Sequence, residues 1–192
     1  MTVQVAVVTG SARGGSFNAM LAAVAADRLR ARGAAVTMID LGALDLPLYC
    51  QDLEQSAYPP AAGTLKRQLV ASDAVLFATP EHNGGPSVLL KNAIDWASRP
   101  TDGEGPLALS AFRGGTAAIM AASTGPFGGL RALAQLRQIL GTVQMMVIPE
   151  QVALPFADRA FDAEGQLIDP LAGTILDALV ARLLDTADRL RR

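Results

Sequence analysis

Four polar residues lie close together in GSARGGSFN, a stretch that spans residues 10–18. Ser11, Arg13, Ser16 and Asn18 supply two hydroxyls, a guanidinium and an amide. Such a set of donors suits a terminal phosphate with several free oxygens. The stretch has neither the G-x-x-x-x-G-K-[ST] spacing of a Walker loop nor the G-x-G-x-x-G spacing of a dinucleotide loop. The alternative is an ordinary turn in which Ser16 only caps a helix.

The residues on either side of this stretch predict the elements that position it. Residues 3–8 form an apolar, β-branched run that is typical of a buried parallel strand. Apolar residues at helical spacing follow Ser16 and predict a helix that begins there. The N-terminus of a helix at the carboxyl end of a sheet attracts anions, which favours the phosphate interpretation.

Two further glycine-bearing turns follow apolar runs. The turn TPEHNGGPS spans residues 79–87, and the turn STGPFGG spans residues 123–129. Gly84 and Gly85 would let backbone amides approach a flat ring closely. His82 is the only histidine of the chain and is a candidate catalytic acid.

The order of predicted elements indicates an α/β fold. Apolar periodicity predicts strands over residues 3–8, 35–41, 74–78, 116–122 and 143–148. It predicts helices after Ser16, over residues 65–70, 89–96 and 130–140, and from Asp169-Pro170 onwards. Three segments are predicted to be irregular, namely residues 44–60, 100–113 and 149–165.

Strands that alternate with helices predict a doubly wound parallel sheet with helices on both faces, within one domain over residues 1–192. In a flavodoxin-like sheet, with strand order 2-1-3-4-5, the first, third and fourth strands are neighbours. The three turns that follow them would therefore meet in one crevice at the carboxyl edge of the sheet.

The composition excludes several classes of function. The chain has 192 residues, of which 51% are hydrophobic, and 16 basic against 18 acidic residues give a net charge of −2. Nucleic-acid binding usually needs a basic face, so none is expected. With His82 as the single histidine, no His-based metal site is expected. Cys50 is the single cysteine, which excludes an internal disulfide and fits a reducing compartment. With no signal peptide or membrane-spanning run recognised, the chain is expected to be cytoplasmic.

A few residues outside the turns are given structural roles. Leu46 is predicted to pack in the core, Cys50 to be buried and Lys66 to be solvated, whereas Tyr49 fits either core or ligand. Helix capping, packing or a subunit contact is predicted for Asn92, Asp95 and Trp96.

A phosphate-binding turn beside two glycine-rich turns suits a flat ligand with a phosphate tail. The turns offer few side chains for acid–base chemistry. Flavin chemistry fits this shortage of acid–base side chains, because in hydride transfer the cofactor carries the reaction and the protein supplies binding and orientation.

The three turns also resemble those of the NADPH-dependent FMN reductases. GSARGGSFN resembles the G-S-x-R-x-x-S-x-N phosphate signature of that family. PEHN and LKNAIDWASRP, residues 80–83 and 90–100, resemble its P-E-Y-N … L-K-N-A-I-D-W-x-S-R motif. STGPFGG followed by Arg131 resembles its third flavin loop. The resemblance implies a flavodoxin-like fold, bound FMN, NAD(P)H as co-substrate and a homodimer or homotetramer.

The resemblance implies that Ser11, Arg13, Ser16 and Asn18 hold the FMN phosphate. It implies that residues 80–83 line the isoalloxazine ring and that Ser123 closes the other side. The full set of cofactor-binding residues implied is Ser11, Arg13, Ser16, Phe17, Asn18, Pro80, Glu81, His82, Asn83, Gly84, Ser123 and Gly125.

The chain departs from the family pattern beside the ring. His82 stands where the family usually has Tyr, and Ser87-Val88 stands where it usually has Pro-Gly. Glu81 is open to a second interpretation, in which it orients a loop or a neighbouring subunit.

The resulting hypothesis is an FMN-dependent NAD(P)H oxidoreductase with a ping-pong cycle, which passes hydride to a small acceptor such as a quinone or free flavin. No catalytic side chain is required, and no metal. The alternative is a flavin-binding electron carrier or a nucleotide-sensing module without turnover. The near-neutral charge speaks against a carrier that docks electrostatically.

Overall fold

A computed structural model describes residues 1–101 and 103–190. Over these residues the strands are β1 (Gln4–Thr9), β2 (Ala35–Asp40), β3 (Ala74–Ala78), β4 (Glu81–His82), β5 (Gly85–Pro86), β6 (Thr116–Ala122) and β7 (Met146–Leu154). The α-helices are α1 (Phe17–Ala31), α2 (Leu41–Leu44), α3 (Gln51–Ser56), α4 (Pro60–Val70), α5 (Val88–Ala97), α6 (Leu130–Thr142) and α7 (Pro170–Arg189).

The main sheet has the strand order β2-β1-β3-β6-β7, and its strands are parallel. Thr9 at the end of β1 pairs with Asp40 and Ala78, and Ala78 pairs with Met120 near the end of β6. The segments after β1, β3 and β6 therefore leave the sheet side by side. The predicted flavodoxin-like order is confirmed.

Alternate residues of β1 pack into two different cores. Val5 and Val7 pack with α1 and α7 on one face of the sheet. Ala6 and Val8 pack with α4, α5 and α6 on the other face. Because both faces of each inner strand are covered, the strands read as continuous apolar runs. The prediction of helices on both faces is confirmed.

The last strand lies later in the chain than predicted. The sequence predicted residues 143–148, whereas β7 runs over Met146–Leu154 and Val143 caps α6. The predicted strand stops at residue 148 because Pro149 lacks the N–H that a strand uses in pairing. Because β7 is an edge strand, the missing N–H of Pro149 breaks no ladder of the sheet, and a register shift opposite Ala117 and Ile119 accommodates the extra residues.

The segment predicted to be irregular over residues 44–60 contains the short helix α3, and α4 begins at Pro60 instead of residue 65. Proline is well suited to the first helical position because its missing N–H has no intrahelical partner there. Lys66 on α4 is 4% exposed, so its predicted solvation is wrong. Its ammonium donates to the carbonyl of Arg99, at 2.6 Å, and to the carboxylate of Glu104.

The segment before α3 is attached to α5. Trp96 Nε1 and Asn92 Nδ2 both donate to the carbonyl of Pro47, at 2.7 and 2.9 Å. The backbone N–H of Tyr49 donates to Asn92 Oδ1, and its ring packs edge-on against Trp96. Leu46 is buried as predicted. This attachment explains the polar and aromatic residues of α5 without a ligand.

Cys50, predicted to be buried, is exposed because the segment crosses the surface of α5. Asp95 on α5 forms an ion pair with Lys91, with both oxygens at 2.8 Å. None of the helices in the described part of the chain has the length and apolar character needed to cross a membrane.

Candidate functional site

The first loop connects β1 to α1, with Arg13 exposed, Ser11 partly exposed and Ser16 buried. Ser16 is the N-cap of α1, and its Oγ accepts a hydrogen bond from the N–H of Ala19 at 3.4 Å. The Arg13 guanidinium is exposed and donates to the carbonyl of Gly15 at 3.1 Å. It also lies over the Phe17 ring, 5.5 Å from the centroid. The charged group is thus held close to the start of the helix.

The donor set of this loop fits a phosphate group. Among the residues that the structure describes, none accepts a hydrogen bond from the N–H groups of Phe17 and Asn18, as expected for the first turn of a helix. A methyl group added at Gly14 or Gly15 would meet no atom within 4 Å, so the space beside the loop is open. A guanidinium, a hydroxyl at Ser11 and backbone N–H groups therefore face a volume that an anion can enter.

The second loop, predicted as a simple turn, folds into a small antiparallel hairpin. β4 and β5 pair through Glu81 with Pro86 and through His82 with Gly85. Asn83 and Gly84 form the connection with φ values of 50° and 83°. Two successive positive φ values are typical of a type I′ hairpin turn, and Asn-Gly is its strongest sequence signal, which could have predicted this hairpin.

The third loop connects β6 to α6. Ser123 Oγ accepts from the N–H of Gly125 at 3.1 Å, and the N–H of Ser123 donates to the carbonyl of Leu154 at 3.0 Å. Gly129 caps α6 with a φ of 84°, and a Cβ there would lie 2.5 Å from the Cβ of Ala121. Only glycine allows α6 to begin so close to the sheet.

A buried hydroxyl joins the first loop to the second. Ser87, the N-cap of α5, donates through Oγ to the carbonyl of Gly10 at 2.6 Å and accepts from the N–H of Leu90 at 3.1 Å. Its own N–H donates to Thr79 Oγ1 at 3.1 Å. Thr79 and Ser87 are 0% and 1% exposed. The sequence analysis assigned neither residue this role, although a serine before an apolar helix is a recognisable N-cap signal.

A buried amide joins the first loop to the third. Asn18 Nδ2 donates to the carbonyl of Ala122 at 2.9 Å, and Asn18 Oδ1 accepts from the N–H of Ala122 at the same distance. The side chain is 3% exposed. The sequence motif predicts that this amide binds the phosphate, whereas in the structure both of its polar atoms are bound to Ala122 at the end of β6. Asn18 therefore connects two loops.

An ion pair joins the second loop to the third. Arg131 Nε on α6 donates to Glu81 Oε1 at 2.7 Å, and the N–H of Ala132 approaches Glu81 Oε2 at 3.4 Å. The Glu81 side chain is 10% exposed. Its carboxylate is directed to the first turn of α6, which supports the interpretation that Glu81 orients a loop. The three loops are thus connected pairwise by side chains.

The structure brings the predicted residues to one edge of the sheet, but in different roles. Arg13 and His82 are exposed, Ser11 and Ser123 are partly exposed, and Ser16 is buried as a cap. The remaining predicted residues lie in the same three loops or directly beside them: Phe17, Pro80, Asn83, Gly84 and Gly125. Within the described residues, no group of three or more metal-ligating side chains comes together.

Comparisons with known proteins agree with this architecture. The model of one protein family, described as NADPH-dependent FMN reductase, matches residues 3–159. An NAD(P)H-dependent FMN reductase of Pseudomonas aeruginosa is 37% identical over 190 residues, which cover 98% of this chain and 97% of the relative. A quinone reductase of Escherichia coli K12 is 36% identical over 197 residues, which cover 99% and 96%.

A solved structure extends the comparison to three dimensions. The flavoenzyme FerB of Paracoccus denitrificans, an NAD(P)H:(acceptor) oxidoreductase, superposes with a TM-score of 0.84 at 31% identity. The match covers 98% of this chain and 99% of FerB.

Proposed function

Because the chain belongs to the NADPH-dependent FMN reductase family, we propose that it is an FMN-dependent NAD(P)H oxidoreductase with a small-molecule acceptor such as a quinone or free flavin. One observation from the structure supports this most directly. Three loops with a phosphate-type donor set and a glycine hairpin meet at one edge of the sheet and are tied to one another by hydrogen bonds of the Ser87, Asn18 and Glu81 side chains.

The first loop would hold the phosphate of FMN. Arg13 supplies the positive charge, and Ser11 together with the N–H groups at the start of α1 supplies further donors. Ser16 caps the helix by accepting from the N–H of Ala19, and its hydroxyl proton stays available to donate to the phosphate. Asn18 holds this loop against β6.

The second and third loops would line the ring. Backbone atoms of Pro80, His82 and Asn83 lie in the hairpin segment, and Gly84 lets that backbone be approached closely. Ser123 and Gly125 close the other side through a loop held by internal hydrogen bonds. Bound FMN supplies the hydride-accepting centre, so these residues bind and orient without donating a proton.

Two broader features of the enzyme are also proposals. Large apolar side chains next to the second and third loops are exposed, namely Val88, Phe127, Leu130 and Phe156. Exposed apolar side chains on several elements near one edge of the sheet support a homodimer or homotetramer in which they are covered. A single domain over residues 1–192 and a cytoplasmic location, based on the single cysteine, complete the proposal.

A visible absorption spectrum of the purified protein, recorded before and after addition of NADPH without oxygen, tests the function. A flavin spectrum that is lost on addition of NADPH is the expected result. A spectrum that persists would instead indicate an electron carrier without reductase turnover. Absence of flavin even after incubation with FMN would overturn the proposal.

Steady-state kinetics test the cycle separately. Nicotinamide and acceptor that use the same face of the site in turn give parallel lines in double-reciprocal plots. Intersecting lines, which indicate a ternary complex, would contradict the ping-pong cycle and leave FMN binding unaffected.

A further inference from the structure

The peptide groups of Gly10 are held by the segment that carries the second loop. The N–H of Gly10 donates to the carbonyl of Ala78 at 2.8 Å, and the carbonyl of Gly10 accepts from Ser87 Oγ at 2.6 Å. A Cβ at Gly10 would lie 3.0 Å from the Cβ of Leu90 and 3.1 Å from Ser87 Oγ. The start of α5 therefore packs directly on the backbone from which the first loop departs.

The hydrogen bonds of Ser87 leave it little freedom. Its Oγ donates to Gly10 and accepts from Leu90, and its N–H donates to Thr79 Oγ1, which in turn donates to the carbonyl of Pro80 at 3.0 Å. The side chain is 1% exposed, so water does not compete for these bonds. Ser87 thus fixes the direction in which the chain leaves Gly10.

We propose that Ser87, although it lies beside the ring-lining loop, is a positioning residue for the phosphate end of FMN; this inference rests on the proposed function. Ser11 and Arg13 follow Gly10 directly and are themselves at the surface. Between Gly10 and the cap at Ser16, the loop has open space around its glycines. Its donors therefore depend on the anchors at the two ends of the loop.

The ring-lining loops have anchors of their own. The hairpin is closed by β4–β5 pairing and is tied to α6 through Glu81 and Arg131. Loss of the Ser87 hydroxyl removes the anchor of the first loop and leaves this tie in place. The loss of the Ser87 hydroxyl should therefore weaken the contacts of the protein with the phosphate and leave its contacts with the ring unchanged.

FMN and riboflavin, which differ only by the phosphate, separate the two effects. The dissociation constants of both ligands for the apoprotein of Ser87→Ala would be measured by flavin fluorescence. We expect FMN to bind about tenfold more weakly, since one buried hydrogen bond no longer aligns the loop. Riboflavin should change by less than about twofold, as for a site whose contacts are unaltered. The ³¹P resonance of bound FMN should also shift relative to the wild type.

Asp169→Ala is the matched control for loss of a helix cap. Asp169 Oδ1 caps α7 by accepting from the N–H of Ala172 at 2.9 Å. Within the described part of the chain, its side chain forms no hydrogen bond with the three loops. It should lower stability by a similar mechanism while leaving the ratio of FMN to riboflavin affinity unchanged. If Ser87→Ala does not fold, Ser87→Cys keeps a side chain of similar shape but weakens the hydrogen bond to the carbonyl of Gly10, and it should change the same ratio by about threefold.

The outcomes distinguish this inference from the proposed function. Equal weakening of FMN and riboflavin, or no change in either, would overturn the positioning role of Ser87 while leaving FMN binding established. A wild-type protein that binds FMN no more tightly than riboflavin would overturn the phosphate site itself, and with it the role of Ser87.

Discussion

Replacement of Asn18 with alanine is expected to destabilise the protein even when no FMN is present. The Asn18 amide satisfies both backbone groups of Ala122, and both residues are buried, at 3% and 4% exposed. The substitution leaves a buried N–H and a buried C=O without their partner. At about 1–3 kcal/mol for each of these two groups, the free energy of unfolding should fall by about 2–6 kcal/mol. For a chain of this size, at about 2–4 °C for each kcal/mol, that corresponds to a decrease in Tm of roughly 4–24 °C.

Urea unfolding of the apoprotein measures this effect directly, with Ser11→Ala as the control. Ser11 lies on the same loop, is partly exposed, and accepts only a long contact of 3.5 Å from the N–H of Arg13. Its replacement should change stability by less than about 0.5 kcal/mol while weakening FMN. If Asn18→Ala weakens FMN but leaves apoprotein stability unchanged, Asn18 is a phosphate ligand and the structural role assigned here is wrong.

Three further outcomes are expected. Arg13→Ala should weaken the binding of FMN by about 1.5–3 kcal/mol, the range for a hydrogen bond to a charged group. Isothermal titration that shows an unchanged affinity for FMN would exclude the phosphate role of Arg13. Glu81→Gln should lose the charge interaction with Arg131 and raise the Kd for riboflavin as well as FMN; an effect on FMN alone would contradict its place beside the ring. Burial raises the pKa of Glu104, but hydrogen bonds from Lys66 and neighbouring groups outweigh it and lower the pKa from 4.5 to about 2. Ionised Glu104 therefore stabilises the fold above about pH 4.5 and ceases to do so as the pH falls toward 2. In urea titrations, the difference in stability between the wild type and Glu104→Gln should shrink over that range. A difference that stays constant with pH would refute the pairing of Glu104 with Lys66.

The alternation of strands and helices and the identity of the three loops could be predicted from the sequence because both depend on local patterns. Strands covered on both faces must be apolar throughout, and the run at residues 74–78 has no polar residue to suggest otherwise. Turns that bind ligands carry glycine and polar residues in short stretches, as in residues 10–18. Alternating strands and helices indicate a doubly wound sheet, and the flavodoxin-like strand order then makes the three turns neighbours.

The sequence predictions were wrong where the tertiary surroundings of a residue override its local preference. Pro149 is a strand breaker in the sequence, yet β7 continues through it because an edge strand has one side without pairing partners. Lys66 is expected in solvent by its type, yet it is buried because Glu104 and the carbonyl of Arg99 satisfy its ammonium.

The sequence by itself determined the fold class, the family and the set of loops that form the site, since these follow from periodicity and from motifs within short segments. Only the tertiary structure decided what the polar side chains of those loops bind. Asn18 contacts a residue 104 positions away, and Ser87 contacts one 77 positions away. A hydrogen bond joins groups that folding brings together, and its partner cannot be read from the residues beside it in the chain.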